Sequence, residues 1–464
     1  AMLPKLNYFL SFFMKNLNQK NAPNTFKNQP ISLKEASFFW LKLGFISFGG
    51  PAGQIAIMHQ ELVEKRRWIS EQRFLHALNY CMLLPGPEAQ QLATYLGWLM
   101  HRTRGGCIAG LLFILPSLML IICLSWLYLR HGQRPEMVNI LYGVKAAIAA
   151  IVIFAAYRIG TRTLKNHVLR VIALASFLVL SILTVPFPVV IFAALSIGVI
   201  GGCVKPHYFT LNKHSPTILN TKEELALINN NSLMESHMIF SGKRFFKTLL
   251  WGIFLWASVA GYLYLHYGPQ HPLTEMAFFF SKAALLTFGG AYAVLPYVYQ
   301  AAIEQYHWLT TLQMMDGLAL GETTPGPLIM IVTFVGFLGG WQSLASTPGA
   351  EYVLGIIGAF VTTYFTFLPS FLLIFAGAPL IESTHGNLKF TAPLSAMTAA
   401  IVGVILNLGI FFAQHILFPQ GLAANMDVFA AFISMSALIA LIRFKVNIIS
   451  VIIGCGVMGW LHAF

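Results

Sequence analysis

Residues 38–51 read FFWLKLGFISFGGP, and residues 278–291 read FFFSKAALLTFGGA. The likeness continues at a constant offset of 240 through residues 38–87 and 278–327 without a gap, ending on Pro85-Gly86-Pro87 and Pro325-Gly326-Pro327. Phe38/Phe278, Phe39/Phe279, Lys42/Lys282, Gly49/Gly289, Gly50/Gly290, Gln60/Gln300, Glu64/Glu304, Trp68/Trp308 and Leu78/Leu318 are identical. Leu115-Pro116-Ser117 recurs as Leu368-Pro369-Ser370 after a short insertion. A repeat of this length is the organising unit of the chain.

The setting of the repeat is apolar. Of 464 residues 57% are hydrophobic and only 10% charged, with a mean hydropathy of +0.70. So few charges cannot cover the surface of a water-soluble chain this long. Apolar runs of roughly 20 residues point to an integral membrane protein. The formal net charge is +13, with the positive residues scattered through short loops. That pattern fits contact with anionic membrane lipids and the positive-inside rule rather than nucleic acid. The five cysteines form no C-x-x-C pair and read as small buried hydrophobes. Walker, dinucleotide, nucleophile-elbow and His-x-x-x-His motifs are missing from the sequence, so no cofactor or metal is expected and the chain is read as a non-enzyme.

Charge placement orients the copies. Loop 51–75 carries Lys65, Arg66, Arg67 and Arg73, while its counterpart 291–315 carries no Lys or Arg. Arg102 and Arg104 likewise have no basic counterpart at 341–351. Cytoplasmic loops hold the positives, so the copies are expected to face opposite ways. The predicted fold is an all-α inverted-topology tandem repeat with re-entrant helical hairpins and about nine full transmembrane spans. Residues 1–32 read as an interfacial segment and tether, 33–204 as the first repeat, 205–244 as a cytoplasmic linker, 245–266 as an extra span and 267–464 as the second repeat. The first hairpin turns at Gly49-Gly50-Pro51. The second, arms 74–84 and 88–100, turns at Pro85-Gly86-Pro87 and reaches about halfway through a roughly 30 Å hydrocarbon core. Ordinary tilted spans remain the alternative. Arg130 and Arg134 fall on the outer side and run against the rule.

The tips carry the chemistry. Pro85 cannot extend a helix, it drives Leu84 out of helical geometry, and Pro87 suits a first helical position. The helix that follows presents amides with no internal partner and a positive dipole end, which suit an anion. Gly49-Gly50, Gly289-Gly290 and Pro325-Gly326-Pro327 repeat the arrangement. Four such ends are expected to converge on one cavity near the midplane. Lys42 and Lys282, each in an apolar helix, are costly at membrane depth and so are binding candidates; snorkelling to headgroups is the other reading. Lys145 either lines the anion path or pairs with an acidic neighbour. Glu88 and Glu322 flank the proline tips and are proton-coupling candidates, or, for Glu88, a plain helix-terminal charge. Asp316 and the pair Trp68/Trp308 read as interfacial.

Phe48-Gly49-Gly50-Pro51, Trp68 and Leu84-Pro85-Gly86-Pro87-Glu88-Ala89-Gln90-Gln91-Leu92-Ala93 resemble the chromate ion transporter family. Phe288-Gly289-Gly290 and Thr324-Pro325-Gly326-Pro327 are similar to its C-terminal half. The resemblance covers about residues 33–464. It implies a two-domain, long-chain secondary transporter of the bacterial inner membrane that exports chromate and confers resistance, with sulfate as a related oxyanion. A proton-coupled sulfate importer, a membrane-embedded enzyme and a passive channel are the rival readings, and a homodimer is left open.

Overall fold

The computed structural model describes residues 31–48, 50–183, 185–204, 228, 238–288, 290–343, 350–383, 391–421 and 425–462. The N-terminal tether, Gly49, Gly289 and most of the linker lie outside the described residues. The helical body falls within Leu33–Phe464.

The described residues are helical apart from short connections and one isolated bridge, Ile69 with Ile228. In the first copy α1 is Leu33–Ile46, α2 Gly50–His59, α3 Glu71–Leu83, α4 Glu88–His131, α5 Pro135–Thr163, α6 His167–Leu183 and α7 Phe187–Val204. The additional helix α8 is Gly242–Tyr267, starting just before the expected span. The second copy runs α9 Pro272–Leu286, α10 Ala291–Tyr299, α11 Thr311–Thr323, α12 Ile331–Gln342, α13 Ala350–Ser383, α14 Thr391–Leu417, α15 Val428–Ile442 and α16 Ile448–Leu461.

The offset of 240 survives in the backbone. Both α2 and α10 pass into a π-helical turn, Gln60–Lys65 and Gln300–Gln305. Both turns end in a left-handed residue, Arg67 at φ 53° and His307 at φ 54°. Ser70 and Thr310 then cap α3 and α11 by accepting the amides of Arg73 and Gln313. Leu84 and Thr324 leave these helices in extended geometry, ψ 146° and 143°, as a following proline demands. Phe39 meets Trp68 edge-on at 5.4 Å, and Phe279 meets Trp308 at 5.8 Å. The two tryptophans are 6% and 3% exposed. They are core rings, not the expected interfacial anchors, because the loop after each π turn folds them back onto α1 and α9.

The hairpin arm 88–100 and the span after it are two helical stretches, taken together as α4, with the helix broken between them at His101 and Arg102, both non-helical. Among the described residues six helices are long and apolar enough to cross a membrane: Glu88–His131, Pro135–Thr163, Phe187–Val204, Gly242–Tyr267, Ala350–Leu380 and Ala392–Leu417. Three further expected spans are shorter, at 17, 15 and 14 residues for α6, α15 and α16. At 1.5 Å rise per residue they reach about 21–26 Å, less than a roughly 30 Å hydrocarbon core.

The copies interdigitate. α14 packs against α5, α6 and α7, α16 packs on α5, and α13 packs on α4 and α12. Close approach rests on small residues: a side chain at Gly143 would strike the backbone of Cys455 and Gly459, and one at Gly403 the backbone of Ala173. This is how membrane helices associate without a hydrophobic drive between them. The linker returns to the first copy, where Ser70 donates to the carbonyl of Ile228 at 2.9 Å and Ile228 to that of Trp68 at 3.1 Å.

Candidate functional site: the crossing of the glycine–proline tips

The amide of Gly86 donates to the carbonyl of Thr287 at 2.6 Å, and the amide of Gly326 donates to the carbonyl of Ser47 at 2.7 Å. Ser47 and Thr287 are themselves 240 apart, as are Gly86 and Gly326, so each proline tip is tied to the other copy's glycine tip. The Leu-Pro-Ser motifs complete the exchange. A side chain at Gly86 would run into Ser370 Oγ, and one at Gly326 would stand 2.6 Å from Ser117 Cβ. Gly86 (φ +130°) and Gly326 (φ +109°) hold a backbone conformation that L side chains rarely adopt. Gly50 (φ +71°) and Gly290 (φ +94°) open α2 and α10 in the same way. A Cβ at Gly290 would lie 3.9 Å from both Glu88 Oε1 and Pro51 Cγ. Residues of three tips therefore meet at Gly290, and the Gly326 tip joins them through Ser47.

The amides of Gly86 and Gly326 themselves are occupied by this exchange. The donors left are the first-turn amides beyond Pro87 and Pro327, where a helix start has no internal partner. Unmet polar atoms surround them. Gln54 Nε2 donates to the Gly326 carbonyl, and Gln91 Nε2 to the Pro85 carbonyl at 2.7 Å. Both carboxamide oxygens, with the hydroxyls of Ser47 and Ser370, are buried and make no hydrogen bond among the described residues. Buried polar groups without partners are uncommon, and a ligand or water is the ordinary reason for them.

Charged side chains divide into those at the tips and those away from them. Glu88, 9% exposed, opens α4 beside Gly290 and Pro51. Glu322 accepts a hydrogen bond from Tyr292 and lies within electrostatic reach of Arg158. Lys145 Nζ is 3.4 Å from Asp316 Oδ2, which also accepts from Tyr128 at 2.9 Å. Asp316 is 2% exposed, not interfacial, since α11 turns it towards α4 and α5. Arg73 Nη2 contacts Glu382 Oε2 at 2.8 Å, and Tyr95 donates to the same carboxylate. Lys42 is half-buried and Lys282 exposed, on the helix faces that carry the exposed Phe38, Phe45, Phe278 and Leu285.

Arg73, Arg158 and Glu382 escaped the sequence reading. In the sequence Arg73 reads only as a loop positive, and no motif or spacing singles out Arg158. Glu382 sits after an insertion that breaks the repeat register, so no partner residue marked it.

Comparison with known proteins agrees with this architecture. The chromate transporter family model matches residues 34–199 and 274–460, one block on each copy. A chromate transport protein of Pseudomonas aeruginosa is 32% identical over 93% of both chains. One from Cupriavidus metallidurans is 28% identical over 89% of both. A probable chromate transport protein of Synechococcus elongatus is 28% identical over 81% of this chain and 83% of its own. No solved structure matches the chain. With each copy matched over most of its length and the apolar helices to cross a bilayer several times, this multi-pass membrane protein belongs to the chromate transporter family.

Proposed function

We propose that the chain is a secondary transporter carrying chromate out of a bacterial cell across the inner membrane, and that the anion binds where the four tips cross. The observation that carries the reading is the reciprocal exchange of Gly86 with Thr287 and Gly326 with Ser47. Two oppositely facing units, 33–204 and 267–464, produce such an exchange, and inverted repeats of this kind hold a substrate near the midplane. In this reading the first-turn amides beyond Pro87 and Pro327 and the hydroxyls of Ser47 and Ser370 contact the oxyanion. Pro85, Gly50 and Gly290 shape the cavity. Arg158 supplies positive charge near Glu322. Lys42 and Lys282 stay outside the core of the site.

Export also agrees with the membrane field. A divalent anion leaving an inside-negative cell gains roughly 4.6 kcal/mol at 100 mV. Names of the relatives favour chromate; sulfate is of similar charge and shape and is the natural competitor. The test is flux in proteoliposomes under an imposed potential. Saturable chromate movement that follows the potential and is competed by sulfate supports export. Non-saturable flux would instead indicate a channel, and loss of the chromate absorption band on purified protein an enzyme.

A proton-coupled oxyanion importer is the second reading. It is favoured by Glu88, a carboxyl placed among the tips with no ion pair among the described residues. Uptake against the potential that follows an imposed pH gradient would establish it over export.

A further inference from the structure

Helices α6 and α7 leave an open groove of about 580 Å³ between them. His167, Val171 and Ala175 line one wall and Val189, Ala193 and Ile197 the other, and only His167 and Ser176 along it are polar. Val171, Val189 and Ile197 are 63%, 53% and 48% exposed. At the His167 end stand Arg162, Lys165 and Arg170, all exposed and none in an ion pair among the described residues. The sequence holds no Asp or Glu between Glu136 and Glu223. The corresponding connection in the second copy, 418–427, has no Lys or Arg and ends on Asp427.

We propose that this groove is a binding site for an anionic phospholipid, its acyl chain between α6 and α7 and its phosphate against Lys165, His167 and Arg170. An apolar slot that ends in uncompensated positive charge matches a molecule with an apolar tail and a negative head. Basic pockets between membrane helices select anionic headgroups for this reason. A second copy of the chain fits the face poorly. A two-fold contact through α6 would bring the two basic clusters to the same level with no carboxylate between them.

The experiment is thermal unfolding of the purified full chain in neutral detergent with phosphatidylglycerol, phosphatidylcholine or inorganic phosphate, together with a count of lipids retained in native mass spectra. Phosphatidylglycerol is expected to raise Tm and to be retained. Phosphatidylcholine and phosphate alone are expected to do neither. Lys165→Gln with Arg170→Gln weakens phosphatidylglycerol binding about thirtyfold. Ala193→Trp fills the slot and abolishes retention with every positive charge in place, which decides the matter should the double variant not fold. Equal shifts from phosphatidylcholine, unchanged retention by Ala193→Trp, or cross-linking of Val171→Cys chains into dimers in lipid would each overturn the proposal.

Discussion

Gly86 gives its amide proton to Thr287 across 2.6 Å, from one copy of the repeat to the other. The bond is possible only because Gly86 sits at φ +130° with Ser370 Oγ where a side chain would be. Gly86→Ala therefore meets both a strained backbone, about 1–3 kcal/mol, and a collision. Gly50→Ala meets the strain alone, since nothing lies within 4 Å of its Cβ position. The expected outcome is a lower Tm and at least about a tenfold loss of flux for Gly86→Ala, with a milder effect on both for Gly50→Ala. Parity of the two in flux assays and thermal unfolding would mean the crossing is not what transport depends on.

Arg73 and Glu382 form an ion pair with both side chains at 5% exposure or less. Removing one partner strands a buried charge, at a cost of about 3–5 kcal/mol. Arg73→Gln and Glu382→Gln should each lower stability by that order, and the double variant by clearly less than the sum. A double-mutant cycle on unfolding free energy measures the coupling. Arg73 also hydrogen-bonds Met238 Sδ at 3.5 Å, so the arginine variant is expected to loosen the end of the linker and hasten proteolysis there.

Lys145 sits at 3.4 Å from Asp316, which separates two roles for this lysine. If it serves only to neutralise Asp316, Lys145→Met with Asp316→Asn recovers flux that either single change loses. If it meets the anion, the double variant stays inactive and the apparent KM for chromate rises in Asp316→Asn less than in Lys145→Met. The structure favours recovery, because Tyr128 and Lys145 together satisfy one carboxylate oxygen.

The broken helices were legible because proline and glycine act locally. Pro85 ends α3 and Gly86 turns the chain whatever lies around them, so the element pattern and both tips could be read from residues 84–87 alone. The repeat extended that reading to the second copy. Partners across the seam were not legible. Nothing in the spacing of Arg73 says that it meets a residue 309 positions later. Lys42 and Lys282 show the same limit, because a conspicuous charge in an apolar helix gives depth but not direction. The helix face towards the bundle is set by Ala36, Phe39, Trp40 and Leu43, and the lysine falls on the other side.

Glu88 separates export from proton-coupled import. Its carboxyl stands beside Gly290 and Pro51 without the tyrosine that attends Glu322, Asp316 and Glu382. A carboxyl that carries a proton through the cycle can be replaced by a carboxamide of the same shape only at the cost of the coupling. Glu88→Gln should then keep counterflow exchange of chromate, which moves no net charge, while losing the response of net flux to an imposed pH gradient. Under plain potential-driven export the same variant responds to voltage as the parent does, and neither protein follows the pH gradient. Exchange and net flux measured on one set of proteoliposomes tell the two apart.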